Sequence, residues 1–210
     1  MYIPTQFRET DIPTLHAAIR AAGLATLVTT GPDGILATPL PLLLDPEPGP
    51  HGALLGHVAR ANPQWHRSAP DADGLAMFAG PDAYITPSWY ETKRQTGKVV
   101  PTWNYVAVHA YGRVEFIDDA AWLHALVTRL TERHEGARPQ PWAVADAPPE
   151  FTKAQLKGIV GVRLVISRLE GKWKMSQNRS AEDRAGVVAG LREDGNTVVA
   201  DLVAGPGAGG

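Results

Sequence analysis

The feature of this sequence that most constrains its fold is a succession of short apolar runs separated by turns rich in proline and glycine. Such runs predict β-strands, and a proline or glycine pair between two runs predicts a hairpin turn. Regular crossover helices do not separate the strands, which disfavours a doubly wound parallel sheet. We therefore expect a mainly β protein, an antiparallel barrel of about seven or eight short strands with three or four peripheral helices.

Alternation, helical spacing and capping residues assign the elements. The predicted strands are Leu24–Thr30, Ile35–Leu44, Ala53–His57, Gly74–Gly80, Ala83–Pro87, Trp103–Ile117, Ile159–Leu169 and Lys172–Ser176, with Asn196–Val203 as a further candidate. The predicted helices are Thr10–Gly23, a segment capped by Asp118 that runs to Glu135, Thr152–Lys157, and a segment capped by Ser180 that ends near Glu193, with a helical turn at Asn62–Ser68. Turns are predicted at Gly31–Gly34, Gly80–Asp82 and Glu170–Gly171, and a polar, basic loop at Glu91–Val100.

Composition excludes several kinds of chemistry. The chain has no cysteine, which rules out disulfides, thiol nucleophiles, zinc–thiolate sites and iron–sulfur clusters. The histidines show no standard ligand spacing, so no metal site is predicted. Lys and Arg total 20 and Asp and Glu total 22, and this net charge of −2 does not favour a nucleic-acid surface.

The sequence also predicts the general organisation of the chain. It contains no signal-peptide pattern and no apolar run as long as a membrane span, so we expect a soluble, cytoplasmic protein. Residues 1–204 are expected to form a single domain with helical additions, and 205–210 a flexible C-terminal tail.

Two segments combine an irregular backbone with polar side chains. In Ala37-Thr38-Pro39-Leu40-Pro41, the prolines lack N–H donors, so the strand is expected at an edge, bulged or bent, with neighbouring backbone groups free to bind a flat heterocycle. The alternative is simply a protected edge strand. In segment 56–65, His57, Arg60 and Asn62 could supply donors to a phosphate where a strand meets a helical turn. A helix capped by Asn62 fits that segment equally well.

Two later segments are crowded with aromatic or polar residues. The aromatic residues between positions 84 and 111 are Tyr84, Trp89, Tyr90, Trp103, Tyr105 and Tyr111. Aromatic side chains with polar handles suit a stacked ligand or an interface, although each of them alone is as easily a core residue. Lys174-Met175-Ser176-Gln177-Asn178-Arg179 offers cations and uncharged donors to a polar ligand. Its alternative interpretation is a solvated turn before a capped helix.

A series of motifs in fixed order along residues 1–195 indicates a family. These motifs are Met1-Tyr2-Ile3-Pro4, Ala37-Thr38-Pro39-Leu40-Pro41-Leu42, Gly56-His57, Asn62-Pro63-Gln64-Trp65, Gly80-Pro81, Tyr84-Ile85, Ser88-Trp89-Tyr90, Val100-Pro101-Thr102-Trp103-Asn104-Tyr105, Val108-His109, Gln155-Leu156-Lys157-Gly158-Ile159-Val160-Gly161 and Ser176-Gln177-Asn178-Arg179. Together they resemble the PaiB-like family of FMN-binding negative transcriptional regulators, within the wider FMN-binding split-barrel group that includes pyridoxamine-phosphate oxidases.

The resemblance implies a six-stranded antiparallel split β-barrel and a homodimer with FMN at the subunit interface. It implies that Ala37–Leu40 lies along the isoalloxazine, that His57–Gln64 approaches the ribityl phosphate and that Lys174–Arg179 closes the site. The implied cofactor-binding residues are Ala37, Thr38, Leu40, His57, Arg60, Asn62, Gln64, Trp89, Trp103, Asn104, Lys174, Ser176, Gln177, Asn178 and Arg179. Pro39 has no N–H, so backbone contacts along this strand would come from its neighbours.

Other functions stay open beside this one. A flavin-dependent oxidoreductase acting on a small substrate is one alternative, because a cofactor carries the redox chemistry itself. Its candidates for proton transfer are His57, His109 and Tyr90. Haem binding is another, since related split barrels can handle haem. DNA is implied as a partner by the family name alone, with Lys93, Arg94 and Lys98 as the candidate contacts.

Overall fold

The computed structural model describes residues 1–70 and 73–205 and contains an eight-stranded sheet. The strands are β1 (Arg8–Glu9), β2 (Ala25–Gly31), β3 (Gly34–Leu40), β4 (Leu43–Asp45), β5 (Ala53–Ala59), β6 (Asp73–Ile85), β7 (Thr102–Ile117) and β8 (Ile159–Lys174). The α-helices are α1 (Ile12–Ala21), α2 (Gln64–Arg67), α3 (Glu91–Thr96), α4 (Ala120–Glu135), α5 (Pro149–Leu156), α6 (Ala181–Glu193) and α7 (Thr197–Ala204). Short 3-10 helices cover Thr5–Phe7, Pro87–Trp89 and Val144–Asp146.

The strand order is β3-β2-β6-β7-β8-β5-β4, and β1 pairs with β8. The registers of β1 with β8, β2 with β3 and β6, and β5 with β4 and β8 are all antiparallel. The expected mainly antiparallel β fold with peripheral helices is therefore confirmed. The described sheet has eight strands, which agrees with the seven or eight counted from the sequence pattern; the six strands implied by the resemblance are wrong. Two of the eight, β1 and β4, have only two and three residues.

The first hairpin has the predicted position and the predicted edge. Gly31 pairs with Gly34, which leaves Pro32 and Asp33 as the turn. Gly34 has a φ of +110°, a backbone conformation that is strained for any residue with a side chain. Strand β3 stands at one end of the strand order, and Pro39 pairs with Thr26 inside it. An edge strand tolerates proline because one of its sides has no partner strand to receive an N–H.

Strand β6 corrects the predicted turn at Gly80–Asp82, because it runs without a break from Asp73 to Ile85. A Cβ on Gly80 would lie 2.8 Å from the Cβ of Val106 in β7. The glycine is thus explained by the close approach of the neighbouring strand, a role that sequence pattern does not separate from a turn.

Strand β8 corrects the second predicted turn, because Glu170 and Gly171 lie inside it. The short strand β1 pairs with β8 at this position, with Glu9 opposite Gly171 and Arg8 opposite Lys172. Those pairings give the extended backbone a partner at the point where the sequence predicted a reversal.

Two predicted non-helical segments are helices. The predicted basic loop contains α3, which has no apolar stripe and is fixed by Thr92, whose N and Oγ1 donate to the buried Asp183 at 2.9 Å. The candidate strand Asn196–Val203 is α7, whose first turn is capped by the Asn196 side chain accepting from the N of Val199. Its valines have strand propensity, yet Val199 and Val203 are both fully buried at helical spacing.

Helix caps were predicted with mixed success. Ser180 caps α6 by accepting from the N of Asp183 at 3.2 Å, as expected. Helix α4 is capped by Asp119 rather than by Asp118, and Asp119 accepts from the N of Trp122 at 2.7 Å. Asp118 instead accepts hydrogen bonds from Arg60.

The chain divides into two compact units. The first unit contains residues 1–18, 79–108 and those from 170 onward, and the second contains 19–78 and 109–169. The buried core of the first unit is Ala83, Ile85, Tyr90, Val106, Met175, Val187, Leu191, Val199, Ala200 and Val203. A core cluster of the second unit is Leu43, Ala53, Leu55, Leu126 and Leu130.

The C-terminal end of the chain and the lengths of the helices bear on the predicted organisation. Gly205 follows α7 with a φ of +84°, and the rest of the predicted tail, 206–210, lies outside the described residues. No helix in the described part of the chain is long and apolar enough to cross a membrane.

Helix α6 packs so tightly on Trp89 that a side chain at Gly186 should destabilise the fold. A Cβ on Gly186 would overlap the carbonyl oxygen of Trp89, a backbone atom that cannot move aside. Gly186→Ala should therefore lower the free energy of unfolding by about 1–3 kcal/mol, despite the better helix propensity of alanine. Chemical denaturation measures this. Gly23→Ala is the matched control, since nothing lies within 4 Å of its Cβ position; equal effects of the two variants would contradict the packing argument.

Candidate functional site

In the second unit, three of the predicted site residues form one hydrogen-bonded group. Asn62 donates from Nδ2 to Thr38 Oγ1 at 2.9 Å and accepts at Oδ1 from the N of Gln64 at 2.9 Å. The second bond satisfies the N–H of Gln64, the first residue of α2, although the N-cap position itself is Pro63. The bond to the start of α2 and the contact with strand β3 therefore depend on the same side chain.

Gln64 is the deepest member of this group, with 1% of its surface exposed. Its Nε2 donates to Leu27 O at 3.2 Å and Thr29 Oγ1 at 3.0 Å. Its Oε1 is buried and has no hydrogen-bond partner among the described residues. A buried acceptor without a donor costs free energy, so this oxygen is suited to a water or a ligand N–H or O–H.

Arg60 is engaged within the chain. Its two terminal nitrogens bind both carboxylate oxygens of Asp118, its Nε donates to Lys157 O at 2.7 Å, and a terminal nitrogen also donates to Ile159 O at 3.1 Å. The hydrogen bond between the two side chains raises the pKa of Arg60 and lowers that of Asp118. This predicted phosphate contact thus already has a carboxylate partner.

His57 lies on β5 opposite Gly161, where a Cβ would overlap the ring of Trp122. The histidine is half-buried, and burial lowers the pKa of its imidazole. The remaining predicted residues of this unit lie on β3. Ala37 is exposed and pairs with Val28, whereas Leu40 is 3% exposed and belongs to the core.

In the first unit, three cations form what we call the cation cluster: Lys172, Lys174 and Arg179. Lys172 is only 8% exposed, donates to Tyr2 O at 3.2 Å and lies 5.0 Å above the ring of Tyr105. Lys174 donates to Thr102 Oγ1 and Trp103 O. Burial, and then repulsion from Lys172 and Arg179, lowers the pKa of Lys174.

The cation cluster has no carboxylate to balance it in the described part of the chain, since no ion pair involves any of its members. Partly buried positive charge without a counter-ion is costly, because burial removes water and no opposite charge replaces it. An anion bound here would recover part of that free energy. The cluster is therefore a candidate anion site.

A buried polar pair lies beside the cation cluster. Asn104 donates from Nδ2 to Ser176 Oγ at 3.0 Å, and the two residues are 1% and 3% exposed. Ser176 has a φ of +60°, which is uncommon for a residue with a side chain. The pair fixes the turn between Lys174 and Arg179. In the same turn Gln177 is tied to the backbone by bonds from Met175 N and to Trp173 O.

The predicted aromatic contacts separate into exposed and packed rings. Trp103 is 53% exposed and meets Tyr84 edge to face at 5.9 Å between ring centroids. Trp89 instead packs on α6, where a Cβ on Gly190 would overlap its indole. Trp103 is thus accessible to a ligand, and Trp89 supports the helix.

Sequence reasoning missed Lys172 and grouped residues that the structure describes in separate units. Thr38, Asn62 and Gln64 come together in the second unit, and Asn104, Lys174, Ser176 and Arg179 come together in the first. The available signal for Lys172 was its spacing, because residues i and i+2 of a strand share a face. Once Lys174 was chosen, the strand period indicated Lys172.

The half-buried His57 gives a pH-dependent prediction. Because burial lowers its pKa in the folded state below the unfolded value of about 6.5, the unfolded chain binds more protons in that window. Folding stability is thus full above about pH 6.5 and falls as the pH drops through the lower folded pKa. His57→Gln should flatten this part of the pH profile, measured by denaturation at pH 5 to 8. An unchanged slope would contradict the assignment.

Comparison with known proteins adds a family to this geometry. Residues 1–168 match the family model described as "Putative FMN-binding domain". The chain is 35% identical over 196 residues to the protease synthase and sporulation protein PAI 2 of Bacillus subtilis (strain 168), covering 93% of this chain and 91% of that protein.

Solved structures are similar in fold. The conserved hypothetical protein Rv2991 from Mycobacterium tuberculosis has a TM-score of 0.59 at 15% identity, covering 86% of this chain and 94% of that one. The flavocytochrome Anf3 from Azotobacter vinelandii has a TM-score of 0.58 at 15% identity, covering 85% and 75%. The family match and the identity to the PAI 2 protein extend over most of the chain, which therefore belongs to the PaiB-like family of FMN-binding domains, as its ordered motifs indicated.

Proposed function

We propose that this protein binds FMN as a homodimer and that the cation cluster receives the phosphate of the flavin. The observation that carries the proposal is the group of three partly buried cations, Lys172, Lys174 and Arg179, that has no carboxylate partner in the described chain. Family membership supports a flavin as the ligand.

The donor chemistry of the first unit fits FMN. A phosphate monoester carries a charge between −1.5 and −2 near pH 7, so it would balance most of the positive charge of the cation cluster. Charge-assisted hydrogen bonds from ammonium and guanidinium groups to phosphate oxygens are stronger than neutral ones. Lys174 contacts the carbonyl of Trp103, whose exposed ring offers a surface to an aromatic ligand.

The chain's own residues would bind and orient the cofactor, and the flavin when bound supplies redox chemistry. The resemblance implied that His57–Gln64 approaches the phosphate; we place the phosphate at the cation cluster instead, because Arg60 in that segment is already paired with Asp118. Thr38, Asn62 and Gln64, together with Ala37 and Leu40, stay predicted flavin contacts. The free Oε1 of Gln64 supports this role, because a flavin carries N–H and hydroxyl donors. Transcriptional control, DNA binding through Lys93, Arg94 and Lys98, oxidoreductase activity and haem binding also stay predictions.

The exposed face of β3 supports the dimer. Ile35, Ala37 and Pro39 share one face of this edge strand, and Ile35 is 76% exposed. Edge strands with exposed apolar residues are usually covered, since they otherwise invite pairing with other chains. A second copy of the chain is the occupant that the family resemblance implies.

The phosphate assignment predicts a selective loss of FMN affinity. Lys174→Met should raise the Kd for FMN by about 10- to 100-fold, because it removes a charge-assisted hydrogen bond of about 1.5–3 kcal/mol. Fluorescence titration measures the Kd. Lys153→Met removes the same charge from an exposed position in α5 and should leave the Kd unchanged. If the wild-type protein binds no FMN, the proposed function is wrong.

The dimer predicts a mass of twice 22.5 kDa in light scattering with FMN present. Ile35→Lys should yield monomers, because it places a charge on the apolar face of β3. Phe151→Lys is the control, since Phe151 is 56% exposed on α5, and it should stay dimeric. Monomeric wild-type protein, or a dimer insensitive to Ile35→Lys, would argue against this interface.

A further inference from the structure

We propose that Tyr90 is a positioning residue that holds Arg179 ready for a phosphate monoester, and that this pair makes the protein prefer FMN to unphosphorylated riboflavin. The inference rests on the proposed function and adds a residue and a ligand preference to it. The sequence indicated Tyr90 either as a candidate for proton transfer or as one of the aromatic residues suited to a stacked ligand, and its complete burial favours neither role.

Tyr90 is a rigid platform. The residue is 0% exposed and lies in the core of the first unit, among residues that include Ile85, Met175 and Val187. It immediately precedes α3, and that helix is tied to α6 by the two bonds from Thr92 to Asp183. A ring held in this way loses no further conformational freedom when a ligand binds, which is the advantage of a preorganised site.

Arg179 is held on the face of this ring. Its Cζ lies 4.4 Å from the centroid of the Tyr90 ring, within the range of a cation–π interaction. Its backbone N donates to Ser176 O at 3.0 Å, which fixes the start of the side chain. The ring face attracts the guanidinium without neutralising it, so the positive charge stays available to an anion.

Arg60 shows the contrasting arrangement in the same protein. Its guanidinium is bound by both oxygens of Asp118 and by two carbonyl oxygens. An incoming anion would have to compete with a carboxylate that is already paired. Arg179 has no carboxylate partner in the described chain, so an anion meets no such competitor there.

The ring of Tyr90 holds the guanidinium of Arg179. The hydroxyl oxygen is buried and makes no hydrogen bond of normal geometry among the described residues. Burial raises the pKa of Tyr90, which keeps the hydroxyl protonated and the ring neutral, while the charge of Arg179 and its contact with the hydroxyl act in the opposite direction. Phenylalanine would therefore preserve the platform, whereas leucine would remove it.

The test compares FMN with riboflavin, which differ only in the phosphate. Kd values for both are measured by fluorescence titration for wild type, Tyr90→Phe, Tyr90→Leu and Arg179→Gln. We expect wild type and Tyr90→Phe to prefer FMN by the same ratio. Arg179→Gln should weaken FMN by about 10- to 100-fold and Tyr90→Leu by about 3- to 30-fold, with riboflavin unchanged in both. Arg192→Gln, at an exposed arginine of α6, is the matched charge control and should behave as wild type.

A second arm uses inorganic phosphate without flavin. Phosphate should raise the melting temperature of wild type, Tyr90→Phe and Arg192→Gln, and this shift should shrink in Tyr90→Leu and Arg179→Gln. If Tyr90→Leu weakens FMN and riboflavin equally, its role is structural and the inference is wrong. If wild type binds both flavins equally, the flavin function stands and the positioning role falls. If neither flavin binds, the proposed function falls, and the phosphate arm decides the anion site alone.

Discussion

Strand β8 is the element on which most of the described structure depends. It hydrogen-bonds to β7 and β5 in the strand order and to β1 outside it, whereas the other described strands have one or two neighbours. Two glycines in this strand also allow side chains of α4 and α1 to approach its backbone closely. A Cβ on Gly161 would overlap Trp122, and a Cβ on Gly171 would overlap Leu15. The same strand ends at Lys172 and Lys174, so its continuity sets the spacing of the proposed anion site.

The sequence pattern predicted the structure correctly where the pattern has one usual structural explanation. The alternating run of β7, the apolar spacing of α1 and the serine cap of α6 each have a single usual interpretation, and all three are confirmed. Glycine is different, because it serves both tight turns and close packing. At Gly80 and Gly171 the cause is a neighbouring residue far away in sequence, which no local pattern contains.

The site was predictable to a similar extent. Polar residues adjacent in sequence, such as Ser176 and Arg179, were found because their density is local. The partner of Arg60 was not predicted, since Asp118 is 58 positions away in the sequence and was assigned to a helix cap. Lys172 was missed because it lies within a predicted hairpin whose turn does not exist. The segment of α7 was predicted as a strand because valine has a high strand propensity. Its helical structure is instead set by the burial of these valines in the core of the first unit.

The pair formed by Asn104 and Ser176 has an evolutionary consequence. Ser176 occupies a backbone conformation that penalises a Cβ, and the buried amide of Asn104 compensates by engaging its hydroxyl. A substitution at either position alone is unfavourable. Replacing Asn104 leaves the buried Ser176 hydroxyl without its hydrogen-bond partner, and a β-branched residue at position 176 increases the backbone strain. Proteins descended from this chain are thus expected to change the two positions together. Where Asn104 has been replaced, we expect glycine at position 176, because glycine adopts a positive φ without strain.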